Sequence, residues 1–188
     1  MKFLLVALIS VMGNADGVNY LVEAARHIVQ TRKRDDVQFL LMGSGPEHDE
    51  LLKQRNALGL QAFVDMPGRV TNEFLFTALK TMDIGVACDP INDYNDHCTM
   101  NKTLEYMAFG KAQVMFGTKE GMYSAGDSAR YVMENSAEKL GDAIIEMLDD
   151  PAERERMGHI GFERLTNDLS WKRSVQQLLA AYNKALAA

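Results

Sequence analysis

Strand-length apolar runs and helix-period segments take turns along the first two thirds of this chain, and that alternation limits the folds open to it. Short apolar runs separated by amphipathic helices build a parallel sheet covered on its faces. The runs are Phe3–Val11, Val37–Met42, Phe63–Met66, Asp83–Ala87 and Gln113–Phe116. Between the first two, Asp16 is placed to cap a helix facing inward through Val18, Leu21, Ala25, Ile28 and Val29. Glu47–Leu58 reads as a helix stopped by Gly59. Asn72 is placed to cap a third, with Phe74, Leu75, Ala78 and Leu79 turned inward, and a fourth runs from about Thr99 to Phe109. A loop through Gly121 and Gly126 leads to the short apolar stretch Tyr131-Val132-Met133.

The last third is helical throughout. Leu140, Ile144, Met147 and Leu148 recur at helical spacing, and Asp150-Pro151-Ala152-Glu153 joins an N-cap, a first-turn proline and a capping-box acid. A final helix carries Trp171, Val175, Leu178, Leu179, Tyr182 and Leu186 on one stripe, expected to be buried. The expected architecture is one doubly wound, Rossmann-like α/β domain. Its sheet core spans residues 1–134 and its helical tail residues 135–188.

The N-terminus has two readings. Lys2 followed by the apolar run to Val11 has the charge and length of a short signal peptide, and equally of a buried first strand. The strand is preferred, because the alternating pattern needs it. A chain of 188 residues can bury a sizeable core without staples, and its two cysteines, Cys88 and Cys98, make no disulfide framework. They point to a reducing, cytoplasmic setting. The net charge of −6 gives no basic footprint for nucleic acid. The scattered histidines give no metal-ligand pattern, and neither a P-loop nor a nucleophile elbow is present. Gly43-Ser44-Gly45 begins a dinucleotide fingerprint, but His48 stands where its third glycine belongs.

In such sheets ligands bind beyond the carboxyl ends of the strands. The relevant loops are 13–17, 43–46, 68–70, 89–99 and 118–126. The stretch from Asn95 to Ala108 starts as a polar loop and becomes a helix whose N-terminus could receive a diphosphate, with Glu105 placed to bind ribose hydroxyls. On the residues alone, Asp96 or Thr99 as a helix cap and Glu105 as a surface charge is the preferred reading.

A set of short segments, in this order and spacing, resembles a known family. They are Met12-Gly13 before Asp16-Gly17-Val18, then Leu41-Met42-Gly43-Ser44-Gly45-Pro46 and Pro67-Gly68-Arg69-Val70. Asp89-Pro90, Asn95-Asp96, Thr99-Met100-Asn101-Lys102 and Glu105-Tyr106-Met107-Ala108 follow. Ser124-Ala125-Gly126-Asp127, Leu148-Asp149-Asp150-Pro151 and Met157-Gly158 complete the series. The chain is similar, from Val11 to about Leu186, to the C-terminal half of group 1 retaining glycosyltransferases of the two-Rossmann (GT-B) architecture.

The resemblance implies a nucleoside-diphosphate sugar as donor substrate, transfer with retention, and no metal or further cofactor. It implies that Glu105 holds the ribose, that the amides of Met100 and Asn101 hold the diphosphate, that Arg69 and Val70 lie by the base, and that Gly13 lets the first loop approach the pyrophosphate. Catalytic residues are not assigned. Where many members carry a first glutamate seven residues before the second, this chain has His97. Where they carry an arginine and a lysine on the first loop, it has Val11 and Asp16. Lys102 is assigned the missing cation, against the alternative of a solvated first-turn lysine. The architecture needs an acceptor-binding domain, expected outside this chain or as a separate subunit. In the family the final helix packs back toward that domain, so the resemblance implies that the Trp171-to-Leu186 stripe leaves apolar surface exposed in this chain alone. Many members act on lipid-linked acceptors, which leaves peripheral membrane association open. Competence in transfer alone is not expected. The competing readings are a nucleotide-binding module without catalysis and a scaffold that has lost its ligand.

Overall fold

The computed structural model describes residues 3–187. Met1 and Lys2 of the N-terminal segment, and Ala188 of the tail, lie outside it. Six strands form one sheet among the described residues: β1 (Leu4–Ile9), β2 (Val37–Met42), β3 (Val64–Gly68), β4 (Ile84–Ala87), β5 (Ala112–Phe116) and β6 (Ala129–Val132). Their order is β3-β2-β1-β4-β5-β6, and every pairing is parallel. The order reverses direction between β1 and β4, the position that defines the crevice of a doubly wound sheet. Of the two readings of the N-terminal run, residues 4–9 are the central strand, in register with β2 from Leu4↔Val37 to Ile9↔Met42.

Side-chain alternation along the strands divides the core. Val6 and Leu8 of β1, Phe39 and Leu41 of β2, and Val86 of β4 face α1 (Val18–Arg26), α2 (His48–Ala57) and α6 (Ala137–Asp149). Ala7, Leu40 and Met42 face α3 (Asn72–Thr81) and α4 (Asn101–Ala108) on the other side. The inner strands β1, β2, β4 and β5 are covered on both faces, which is why their sequences read as near-continuous apolar runs. A satellite cluster of Ala87, Met115, Ala125 and Ala129 seats α5 (Lys119–Ala125). The N-cap of α7 (Pro151–Asn167) is Asp150, whose carboxylate accepts the Glu153 N–H at 2.9 Å, as its sequence indicated.

Several local expectations change. Asp16 does not cap α1. That helix starts at Val18 after Gly17, whose φ of +60° suits glycine, and a Cβ there would lie 2.2 Å from the Cys88 carbonyl oxygen. Thr71, not Asn72, caps α3 by accepting the Phe74 N–H, and the Phe74 ring is exposed rather than inward. The glycine-bearing loop 118–126 contains α5, which Thr118 caps by accepting the Gly121 N–H. Tyr131-Val132 belongs to β6, and Met133 lies beyond it, exposed.

In α8 (Trp171–Leu186) no residue is buried, against what periodicity alone suggests and in line with what the family resemblance implies for this helix. Trp171 is 70% and Leu186 84% exposed. The apolar stripe exists, but nothing among the described residues covers it. None of the described helices is long and apolar enough to cross a membrane.

Candidate donor-binding crevice

The crevice opens where β1 and β4 separate. Their pairing runs through Val6↔Ile84 and Ala7↔Gly85 and stops. One step further, a parallel ladder would have the Ile9 N–H donate to the Val86 carbonyl. The buried Tyr106 hydroxyl sits between those two groups instead. It accepts the Ile9 N–H at 3.1 Å and donates to the Val86 carbonyl at 3.1 Å. Its ring lies over Gly85, where a Cβ would come within 2.5 Å of it. Tyr106 is thus a wedge between the two central strands, and its position fixes α4 against the switch point.

The expected loops do converge here. Asn95, fully buried, donates from Nδ2 to the Ala15 carbonyl at 3.1 Å and the Pro90 carbonyl at 2.8 Å, fastening the loop after β1 to the loop after β4. Asp96 accepts the Lys119 N–H at 3.0 Å and pairs with its ammonium at 2.8 Å, while Thr99 donates to Glu120 at 2.8 Å. These contacts tie the loop after β4 to α5. Asp96 therefore serves α5, not the helix that follows it in sequence. Burial pushes the Cys88 thiol up to about 12, so no thiolate nucleophile forms at neutral pH.

The residues singled out by sequence take distinct places. Met100 is the N-cap of α4, in extended conformation, and the N–H groups of Met100, Asn101 and Lys102 have no protein acceptor among the described residues. Glu105 is half-buried, with no hydrogen-bond or ion-pair partner among the described residues, and burial raises its pKa against the lowering influence of Lys102. Arg69 is exposed just past β3, and Val70 packs against the α3–α4 side of the sheet. Beside them His48 holds a buried Nε2 without a partner.

Gly13 has an ordinary φ of −91°. A Cβ there would meet only Asp16 Oδ2, at 3.3 Å, so the protein itself does not demand glycine at this position. A hollow of about 280 Å³ lies against it, lined by Asn14, Val18, Asn19, Glu47 and Leu51.

Lys102 is neither solvated nor free. Its buried ammonium lies 2.8 and 3.0 Å from the two Asp89 oxygens and 3.6 Å from Asp16 Oδ1. Burial would lower the lysine, but Asp89 and Asp16 overcome this and hold it above its usual range, while burial pushes the Asp89 carboxyl up. The two shifts favour opposite outcomes for the proton. The two-oxygen contact decides for the ionic pair. Asp16 also accepts the Gly13 N–H at 2.7 Å through Oδ2. Neither Asp16 nor Asp89 stood out in the sequence as a partner of Lys102. The three meet only because the ends of β1 and β4 and the start of α4 are neighbours across the switch point.

Residues 2–150 match the family described as glycosyl transferases group 1. The chain belongs to this family. Among curated relatives, alpha-D-kanosaminyltransferase of Streptomyces kanamyceticus is 28% identical over 145 residues, covering 75% of this chain and 35% of the relative. Among solved structures, a variant of S. aureus TarM in complex with fondaparinux, alpha-GlcNAc-glycerol and UDP superposes with a TM-score of 0.82 at 18% identity. That match covers 97% of this chain and 36% of TarM. Anabaena HepE in complex with UDP-glucose gives a TM-score of 0.79 at 16% identity, over 97% of this chain and 49% of HepE. Matches at this identity establish the shared GT-B fold. The chain thus spans between about a third and a half of these group 1 transferases' lengths.

Proposed function

We propose that this chain is the donor-binding domain of a retaining glycosyltransferase and that it takes a nucleoside-diphosphate sugar in the crevice between β1 and β4. The observation that carries the reading is Glu105. It is a half-buried carboxylate without a protein partner, one turn into a helix whose first amides are also unpartnered. A carboxylate kept partly from water without a partner carries a cost, which two ribose hydroxyls donating to it would offset. The Met100 and Asn101 amides, at the positive end of the same helix, suit the diphosphate. Arg69 and Val70 border the crevice on the side where the base would lie. UDP and UDP-glucose in complexes of similarly folded proteins support a nucleotide of this kind.

Transfer itself places stringent demands on an electrostatic environment that stabilises the leaving diphosphate, and on an acceptor held opposite it. The acceptor would be held by the portion of the relatives' length that this chain does not span, on the same or a separate polypeptide. Binding without transfer is the second reading, favoured by the carboxylate of Asp16 at the position where many members of the family carry a cation.

Titration calorimetry against UDP, GDP and ADP tests the site. Glu105→Ala should weaken binding of the preferred diphosphate by roughly 1–3 kcal/mol, and unchanged affinity in a folded variant removes Glu105 from the site. Lys102 is a poorer probe, because truncating it strands the buried Asp89 carboxylate and destabilises the domain.

A further inference from the structure

The first turn of the crevice already holds an anion of its own. Asp16 Oδ2 takes the Gly13 N–H at 2.7 Å, and its Oδ1 lies 3.6 Å from the Lys102 ammonium. An amide and a cation converging on two carboxylate oxygens is the arrangement a phosphate oxygen pair would seek. With Asp89 on the other side of Lys102, two carboxylates face one ammonium, so the cluster carries a net charge of one negative. We propose, on the basis of the donor site above, that Asp16 is an internal competitor for the phosphate seat, which the donor's diphosphate must displace on binding.

The surroundings allow the side chain to leave while the loop stays. Asp16 ends the three-residue turn Asn14–Asp16, and its side chain is 20% exposed, against 8% for Lys102 and 5% for Asp89. Its backbone is pinned on both sides: the Ala15 carbonyl accepts from Asn95, the Asp16 carbonyl accepts from the Cys88 thiol at 3.4 Å, and Gly17 is seated against the Cys88 carbonyl. Rotation of the Asp16 side chain towards solvent uncovers the Gly13 amide and leaves Lys102 shared by Asp89 alone. The same residue thus sets how strongly the seat selects against doubly charged ligands. A nucleoside, which carries no phosphate, does not meet it.

Two substitutions separate charge from occupancy. Asp16→Asn keeps an oxygen able to accept the Gly13 N–H and removes the charge; Asp16→Ala removes both. Each is titrated with UDP and with uridine, beside the unaltered chain and with folding checked by circular dichroism. Both variants should bind UDP at least about tenfold more tightly than the unaltered chain, since a like charge within a few ångströms of the diphosphate is lost. Uridine affinity should be unchanged. A UDP affinity that is equal or weaker in both variants, with uridine still bound, makes Asp16 a structural cap of its turn and overturns the competitor while leaving the donor site standing. If neither ligand is bound by any of the three proteins, the donor site itself is refuted, and the competitor with it.

Discussion

Tyr106→Phe isolates the wedge that opens the crevice. The substitution removes one oxygen and keeps the ring, so the packing over Gly85 is retained and no cavity forms. What is lost is a pair of hydrogen bonds, one from the Ile9 N–H and one to the Val86 carbonyl, both 3.1 Å long. Val86 is fully buried, and its carbonyl has no water to turn to. Ile9 is half-buried, and its N–H can be hydrated in part from the crevice. The ring over Gly85 keeps the two groups from closing on each other. A buried polar group left without its partner costs about 1–3 kcal/mol, and Ile9 adds less than that, so the sum is at least about 2 kcal/mol. For a chain of this size about 2 kcal/mol corresponds to a fall in Tm of about 4–8 °C. Urea unfolding followed by circular dichroism reads the change directly, with the m-value confirming that the same surface is exposed. A loss below about 0.5 kcal/mol at unchanged m would refute the reasoning, because it would mean the strands pair without the hydroxyl.

Two further changes probe the tail packing and the proposed ligand residue. Gly158→Ala sets helix propensity against sterics: Ala favours the middle of α7 by about 1 kcal/mol, but its Cβ would lie 2.1 Å from the Gly110 carbonyl oxygen. The backbone of the α4–β5 turn cannot yield cheaply, so a net loss of about 1 kcal/mol or more is expected in thermal unfolding, and a more stable variant would contradict the contact. Glu105→Gln should remove a pH dependence. Burial raises the folded pKa of Glu105, so between the ordinary carboxylate range and that raised value the folded state holds a proton the unfolded chain has released. Stability contributed by this group is therefore full at low pH and lost as pH rises through that window. The Gln variant should match the unaltered chain in acid and exceed it in Tm at neutral pH. Equal Tm values at both would show that Glu105 carries no such penalty.

Most of the fold was legible because it rests on local pattern. Residues 37–42 form a strand with the bounds read from the sequence, since a run of apolar residues ended by Gly43-Ser44-Gly45-Pro46 leaves little else to build. The cap at Asp150 was legible for the same reason, its partner lying three residues away. Helix α5 was not, because the two glycines at 121 and 126 outweighed the signal of a Thr118 cap, and what holds this short helix is Asp96, bonded to Lys119 from another loop. The role of Asp16 was misread for a related reason. Beside Gly17 it resembles a cap for α1, yet it binds backwards to Gly13 and across to Lys102.

The sequence by itself determined the parallel α/β class, the positions of the loops that line the crevice and the family to which the chain belongs, because each is written in contiguous segments. Which charges meet in the crevice was decided only in three dimensions. Asp16, Asp89 and Lys102 lie on three separate segments, and the reversal of strand order between β1 and β4 is what brings them together. The fate of α8 was decided there as well. Periodicity shows that a helix has an apolar face, but covering that face takes a surface at the right distance and angle, and none of the described residues supplies one.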